Sequence, residues 1–254
     1  MPYWVTTTAE ARTGVQDNAA KTVDIIKIWV DDRNGKVTKL SPELYAAAYR
    51  RGAQEWHPRH RAHLYARGCE GDAARRLDAF AHGVRDKDLD DEFMGMVKQR
   101  KNLVFGPNMP DRGVVVDLDW LKASLPAAEL EALQKNNINR ADAHAFWSIQ
   151  GHNLAKMNAA GVRIVVGTDG NAPYAPHVEM ADMVAAGMTP MRVIVAATRN
   201  GAEFLRMTDT GTIEANKSAD FLVLDANPLD DINNTMKISS VYLRGALVDR
   251  SSYR

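Results

Sequence analysis

The sequence has one cysteine in 254 residues, and this single thiol, Cys69, excludes an internal disulfide framework. It has no excess charge of either sign, because 32 basic residues balance 32 acidic ones, which argues against a nucleic-acid or polyanion partner held by the overall field. No run approaches the roughly 20 apolar residues of a membrane span. The first five residues do not resemble a signal peptide. We therefore expect a soluble, cytoplasmic protein with no membrane or nucleic-acid partner, although a longer parent could carry a signal that this chain does not show.

Apolar residues make up 45% of the chain, enough for one large core or two smaller ones. Extended and helical patterns alternate along most of the length, which predicts an α/β fold. Strands are expected within Val23–Val30, Asp78–His82, Asn102–Phe105 and Gly161–Gly167, the first and last of them buried on both faces. Helices are expected from Ser41, over Asp88–Arg100, over Pro126–Ala159 with a break near Asn136–Asn139, over Pro176–Ala186, and over Thr189–Phe204 with an interruption at Gly201.

The pattern changes at Gly211, where short strands separated by turn residues replace the alternation of strands and helices. Ala219–Leu224, Val241–Leu243 and Ala246–Val248 have no helix between them. We predict that residues 211–254 form a small β module apart from the α/β region of residues 1–210. Residues 49–76 fit neither pattern, since they contain seven arginines but no valine, isoleucine or threonine. An α/β region would need a strand there.

Potential metal ligands lie at or near three of the predicted strand ends: Lys27 in DIIKIW, His82 in AFAHG and Asp169 in VVGTDG. In a parallel α/β barrel the carboxyl ends of the strands meet on one face, so ligands distant in sequence come together there. Imidazole and carboxylate suit Zn²⁺ and related ions, and a nearby carboxylate can take the proton of a metal-bound water. Each signal alone is weak, because a lone histidine is more often a hydrogen-bonded core residue, and Gly-Thr-Asp-Gly is more often a turn.

The combination of four segments is more specific. VDIIKIWVDD, DAFAHGVRDKD, GVRIVVGTDGNAPYAPHVEM and GTIEANKSADFLVLDANPLDDI resemble, in that order, the second half of the amidohydrolase superfamily, nearest to its imidazolonepropionase-like and metal-dependent dipeptidase branch. The resemblance implies a (β/α)₈ TIM-type barrel with a small β-sandwich built from both chain ends. Here it implies a partial metal-dependent hydrolase barrel over residues 1–210 that lacks the first strands, with the C-terminal sandwich strands in residues 211–254.

The resemblance also implies roles for individual residues. Lys27 resembles the barrel lysine that is carboxylated and bridges two metal ions, and His82 resembles a metal-ligating histidine. Asp169 resembles the aspartate that is both ligand and general base. His177 resembles a residue near the substrate pocket, although an ordinary loop histidine is an equally good interpretation. Asn216 stands where the family usually has glycine, which predicts a turn with positive φ. The implied cofactor is one or two divalent ions, Zn²⁺ first among them, and the substrate is a small molecule.

Two features of the sequence depart from the family pattern. It has no His-x-His pair in the context of the family's first barrel strand, and it begins where the family would already be past its third strand. Two functions therefore stay open. One is a metal-dependent hydrolase of amide, cyclic amide or dipeptide C–N bonds; the other is a non-catalytic fragment or pseudoenzyme that pairs at most with a partner. A homo-oligomer stays open as well, and a basic partner loop over Arg50–Arg76 is the least favoured alternative.

The arginine-rich segment has an explanation in the genetic code. Reverse translation of residues 53–76, read one nucleotide later with permitted codons, gives HKNGIRVTAHIYTLEDAKGMLRAG, a helix end, a turn and a β-branched strand as the family has there. We hypothesise compensating frame changes near Ala48 and Leu77. In the shifted frame the ligand histidine falls at position 62, which is Ala62 here, so His63 lies one step later and faces the other side of a strand. His63 is kept as a candidate metal ligand that needs the local backbone to adjust.

Overall fold

The computed structural model describes residues 3–30, 36–54, 63–67, 78–85, 87–170 and 172–251. The helices are α1 (Thr8–Ala19), α2 (Pro42–Gln54), α3 (Asp91–Lys98), α4 (Ala127–Asn136), α5 (Ala141–Ala159), α6 (Ala175–Ala185), α7 (Pro190–Ala197) and α8 (Arg199–Leu205), with 3₁₀ turns at Asp119–Ala123 and Ile232–Met236. The strands are β1 (Ile25–Trp29), β2 (His63–Arg67), β3 (Ala79–Ala81), β4 (Val104–Gly106), β5 (Arg163–Ile164), β6 (Phe221–Leu224), β7 (Ile238–Leu243) and β8 (Ala246–Leu247). The position-62 histidine of the shifted frame lies outside the described residues, as does most of the Arg50–Arg76 segment.

The chain divides into two compact units. Residues 1–108 and 153–167 form the first unit, and residues 109–152 and 168–254 form the second. Among the described residues no helix is both long enough and apolar enough to cross a membrane.

The first unit is built on a five-stranded parallel sheet in the order β1-β2-β3-β4-β5. Residues that are partners in neighbouring strands lie at one level of the sheet, and one such level contains Lys27, Tyr65, Ala79, Val104 and Arg163. The core beside the sheet consists of side chains that are almost fully buried, among them Val30, Ala79, Phe105, Leu154 and Met157. Because parallel strands need crossovers of a dozen or more residues, α2, α3 and α5 lie between strands of this sheet in sequence, whereas α1 precedes β1.

Helix α1 packs against α2 in this unit and has an N-terminal signal that hydrophobic periodicity does not show. The Thr7 side chain accepts from the Glu10 backbone N–H, and the Glu10 carboxylate accepts from the backbone N–H groups of Thr6 and Thr7. This T-x-x-E capping box satisfies donors that the first turn of a helix leaves without partners. The hydrogen bonds from Thr6 and Thr7 also lower the pKa of Glu10.

Several sequence predictions can be compared with these elements. The strand required between the helix from Ser41 and the strand at Asp78 is present as β2, and the break near Asn136–Asn139 is confirmed by the gap between α4 and α5. The interruption at Gly201 is wrong: α8 runs through this glycine, and the break falls at Thr198, which has φ −125° and ψ −91°. Burial of β1 on both faces is also wrong, because Lys27 and Trp29 are exposed on one face while Ile26 is buried on the other.

The second unit contains α4, the 3₁₀ turns, the first part of α5, helices α6 to α8 and an antiparallel sheet in the order β6-β7-β8. Its core side chains include Leu121, Met183, Val193, Ala196 and Ile232. Arg244 and Gly245 form the two-residue turn between β7 and β8, and both have positive φ. Two successive residues with positive φ give a turn whose twist matches that of the two strands it joins. The predicted positive φ at Asn216 is confirmed at 66°.

Candidate functional site

His82 directly follows β3 and is 2% exposed. Its φ of 67° is uncommon for a residue other than glycine, and such strained backbone positions tend to cluster at functional sites. The Arg85 guanidinium Nη2 donates a hydrogen bond to the His82 Nδ1. Since a guanidinium has only donors, Nδ1 is the acceptor and the proton of the neutral ring is on Nε2. In this arrangement the ring is not in the tautomer that binds a metal ion through Nε2.

The segment after His82 is held by α5. Asn153, 1% exposed, donates from Nδ2 to the backbone carbonyls of Val84 and Lys87, both at 3.0 Å, and accepts from the Leu89 N–H at 2.8 Å. One turn later the Lys156 ammonium donates to the Leu89 carbonyl at 2.9 Å. Together these bonds pair buried and partly buried backbone groups of this segment with side chains of α5, and they hold the chain after β3 against that helix.

Lys27 is the middle residue of β1, whereas the sequence predicted a residue at or near a strand end. Its side chain is exposed, with the ammonium Nζ 5.2 Å from the centre of the Trp29 ring, a cation–π contact. In the strand register Lys27 is level with Ala79 of β3, which is two strands away from β1. Ala79 precedes His82 by three residues. At about 3.3 Å per residue, Lys27 lies about 10 Å short of His82 along the strand direction.

His63 is the first residue of β2 and is level with Ile25. The strands are parallel, so His63 lies at the amino end of the sheet, five residues before the level of His82. This separation is about 16 Å along the strands. The register therefore does not bring Lys27, His63 and His82 to one level of the sheet.

Asp169 belongs to the second unit and is exposed, with φ 49°. It follows the last residue of β5 by five positions, within the Gly167–Gly170 turn, where the Thr168 hydroxyl donates to the Gly170 carbonyl. Gly167 belongs to the first unit, and a Cβ there would collide with the Asn108 Oδ1. A side chain at the first position of this motif would therefore require the Asn108 amide to move aside.

His177 lies in the first turn of α6, half-buried beside the ring of Trp120, at 5.9 Å between centroids. The Thr235 hydroxyl has one hydrogen, which it donates to the Ile232 carbonyl, so the His177 Nδ1 donates to the Thr235 Oγ1 at 3.1 Å. The acceptor lone pair of the imidazole is then on Nε2. Burial lowers the pKa of His177, which favours this neutral form. Tyr174 also lies against Trp120, in an edge-on contact.

The described residues contain no group of three His, Cys, Asp or Glu side chains placed to hold a metal ion. With the Arg85 contact at His82 and the separation of His82 from Lys27 and His63, this arrangement of the first unit does not fit a closed metal site. Sequence reasoning missed Arg85, Asn108 and Asn153. Arg85 follows His82 by three residues and could have been noticed, whereas Asn153 lies 64 residues from Leu89 and leaves no local signal.

The comparisons with known proteins agree on one family. The profile of the amidohydrolase family matches residues 62–248, and the chain belongs to this family. An imidazolonepropionase from Pyrobaculum arsenaticum is 35% identical over 80 residues, which are 28% of this chain and 19% of that protein. The family is generally metal-dependent and acts on small-molecule substrates.

Solved structures show the same fold. A Xaa-Pro dipeptidase with methionine bound in its active site superposes with a TM-score of 0.71 at 20% identity, over 96% of this chain and 59% of that one. A Bifidobacterium longum protein assigned as a prolidase superposes with a TM-score of 0.67 at 27% identity, over 95% of this chain and 60% of that one. The chain thus spans about three fifths of the length of these structures.

Proposed function

We propose that this chain carries the C-terminal part of a metal-dependent hydrolase of C–N bonds, acting on an amide, a cyclic amide or a dipeptide. Membership of the amidohydrolase family is the observation that supports this proposal most. Two relatives have activities of this kind in their names, an imidazolonepropionase and a Xaa-Pro dipeptidase. The positive φ values at His82 and Asp169, each placed after a parallel strand, add independent support.

By resemblance to the family, His82, Lys27 and Asp169 are the residues that would hold the metal ion, and Asp169 is the carboxylate that would take and return the proton during hydrolysis. Because Lys27 and His82 stand at different levels of the strand register, this role requires a different arrangement of the first unit when metal is bound. His82 would have to lose its hydrogen bond from Arg85 before its Nε2 could bind a cation. His63 remains a fourth candidate, although it lies at the other end of the sheet. His177 would accept a hydrogen bond from the substrate at Nε2, next to the aromatic ring of Trp120.

The experiment is metal analysis and turnover of the purified chain, with simple amides and dipeptides as substrates and Zn²⁺, Mn²⁺ or Fe²⁺ added. Stoichiometric metal with turnover is the expected result for a complete site. Lys27→Ala and Asp169→Asn should each abolish turnover, while the exposed Asp117→Asn should leave it unchanged. Fewer than about 0.1 metal ions per chain, with no turnover, would exclude the enzyme function for this chain alone.

The second candidate function is a non-catalytic fragment that pairs with a partner. One observation favours it: within the part of the chain that the structure describes, the predicted ligands of the first unit do not form a metal site. Under this function the chain binds little metal alone and gains metal and turnover when a second polypeptide supplies further ligands. Turnover by the chain alone would decide against it.

A further inference from the structure

Thr235 connects the segment between β6 and β7 to the surroundings of His177. It lies in the 3₁₀ turn Ile232–Met236, 58 residues after His177 in the chain, and this turn packs against α6. The turn and α6 both belong to the second unit. The Thr235 hydroxyl accepts the hydrogen bond from the His177 Nδ1. A buried side chain of the C-terminal segment is therefore the hydrogen-bond partner of this histidine ring.

The position of Thr235 is set by bonds in which His177 takes no part. The Asp231 side chain caps the start of the turn, and the buried Asn234 donates from Nδ2 to the Asn227 carbonyl at 2.8 Å. These bonds hold the turn to the segment that precedes it. Thr235 is therefore a fixed partner, to which the His177 ring has to adapt.

The direction of the hydrogen bond between Thr235 and His177 decides which imidazole nitrogen has the proton. In a neutral ring one nitrogen donates and the other accepts. If the Thr235 hydroxyl donated to Nδ1, its hydrogen would leave the Ile232 carbonyl, and the buried 2.8 Å bond between them would be lost. Loss of a buried hydrogen bond is costly, so the hydroxyl donates to Ile232 and the imidazole donates from Nδ1. Thr235 thus makes Nε2 the acceptor.

The imidazole lies beside aromatic side chains. The centre of the His177 ring is 5.9 Å from that of Trp120, and the Tyr174 ring is 6.1 Å from the same indole. Among the described residues the His177 ring makes no second hydrogen bond. Burial lowers the pKa of His177 from its ordinary value of 6.5, so the ring is neutral at pH 7.5. A ligand at this place meets one hydrogen-bond acceptor next to an apolar aromatic surface.

We propose that Thr235 is a positioning residue, which holds the proton of His177 on Nδ1 and makes this site select ligands with an N–H donor on a flat apolar frame. An amide N–H or a ring N–H can donate to Nε2, whereas a group with acceptors alone places two acceptors against each other. The inference rests on the proposed function in one respect, that the ligand of His177 is the substrate. It narrows the substrate class to amides or cyclic amides that keep an N–H at this position.

The first test is nitrogen-15 NMR of the purified chain at pH 7.5, which distinguishes protonated from unprotonated imidazole nitrogens. The signals of His177 are identified by their loss in His177→Gln. The native chain should have the proton on Nδ1. Thr235→Val keeps the shape of the side chain without the hydroxyl, and it should raise the ratio of the Nε2–H to the Nδ1–H form at least about threefold.

Two further variants serve as controls for this measurement. Thr235→Ser keeps the hydroxyl and should keep the native tautomer, which separates the hydrogen bond from the packing of the turn. Thr235→Ala removes the hydroxyl and the methyl group together, and it should act in the same direction as Thr235→Val. It takes the place of that variant if the valine chain does not fold.

The second test compares two ligands that differ in one donor, indole and 1-methylindole. Titration is followed by the shift of the His177 Nε2 signal at pH 7.5. Indole should bind at least about threefold more tightly than 1-methylindole, because its N–H donates to Nε2. Thr235→Val should reduce this preference, and Thr235→Ser should retain it.

The outcomes that would overturn the proposal do not involve metal or turnover. A native chain with the proton on Nε2, or an unchanged tautomer ratio in Thr235→Val, would exclude the positioning role. Equal binding of the two indoles, or no shift with either, would exclude the selectivity. The expected NMR results in a chain without turnover would count against the proposed hydrolase and not against the role of Thr235.

Discussion

Gly113 has a backbone conformation and surroundings that exclude a side chain. Its φ is 66°, and a Cβ would lie 2.6 Å from both the Arg140 carbonyl oxygen and the His144 backbone nitrogen. Backbone atoms of a helix start cannot move aside as a flexible side chain can. We expect Gly113→Ala to lower the free energy of unfolding by at least about 3 kcal/mol, measured by urea unfolding.

Gly201 provides the matched control. It lies inside α8, has no neighbouring atom within 4 Å of the point that a Cβ would occupy, and needs no left-handed backbone. Gly201→Ala should raise the free energy of unfolding by about 0.5–1 kcal/mol, because alanine loses less conformational freedom in a helix. Equal effects of the two substitutions would contradict the steric explanation at Gly113.

The Asp182 carboxylate is buried on α6, with its Oδ1 3.4 Å from the Arg112 Nε. Burial raises the pKa of Asp182 from 3.8 to about 7, and Arg112 opposes this increase only in part. Between these two values the folded chain binds a proton that the unfolded chain has lost. The free energy of unfolding should therefore fall as the pH rises from about 4 to about 7, by at most about 1.4 kcal/mol per pH unit.

Comparison with Asp182→Asn isolates this effect, because the other titrating groups are common to both proteins. Urea unfolding at pH 5 and pH 7.5 should show that the native chain loses stability relative to the variant at the higher pH. If the free energy of unfolding changed with pH in the same way for both proteins, the Asp182 carboxylate would be ionised throughout this range, stabilised by Arg112.

At the scale of elements, α5 organises the chain around His82. Asn153 pairs three backbone groups of the segment that follows β3, and it does so from a fully buried position. Replacement by an apolar side chain of similar volume leaves the buried Leu89 N–H and the partly buried Val84 and Lys87 carbonyls without this partner. Asn153→Leu should therefore cost about 3 kcal/mol in the free energy of unfolding.

Asn136 is the control for this substitution. Its side chain is exposed at the end of α4 and donates one hydrogen bond, to the Ala132 carbonyl. Asn136→Leu should change the free energy of unfolding by less than about 0.5 kcal/mol. Hydrogen exchange should also show faster opening of residues 84–89 in Asn153→Leu, and unchanged exchange there would refute the anchoring role.

At the scale of the whole molecule, the arginine-rich segment occupies a demanding place in the sheet. Strand β2 lies within it and is flanked by β1 and β3. A central parallel strand favours β-branched residues, and the segment has none. Replacing residues 53–76 by HKNGIRVTAHIYTLEDAKGMLRAG should raise the urea midpoint and the zinc content per chain.

The control for this replacement is a scrambled segment of the same 24-residue composition, which should raise neither quantity. A lower urea midpoint for the family-like segment would contradict the frame hypothesis at the level of the protein. Sequencing reads without an insertion or deletion, with codons that cannot encode the shifted motif, would contradict it at the level of the gene.

The sequence by itself determined the α/β class, the family and the approximate position of most elements other than α1, because these depend on local periodicity, caps and spaced motifs. It predicted the positive φ at Asn216 and the break between α4 and α5, since asparagine tolerates that backbone conformation and clustered asparagines end helices. It also pointed to His82 and Asp169 as residues after strands, which is a property of chain order alone.

Only the tertiary structure decided which of these residues share a level of the sheet. Strand register depends on pairing between distant segments, so the sequence placed Lys27 at a strand end, whereas the register puts it in the middle of an outer strand, three residues short of the level of His82. The Arg85 and Asn153 contacts were likewise fixed by packing. The ligands of a metal ion must lie close together in space, and the local sequence pattern contains no information on distances between strands.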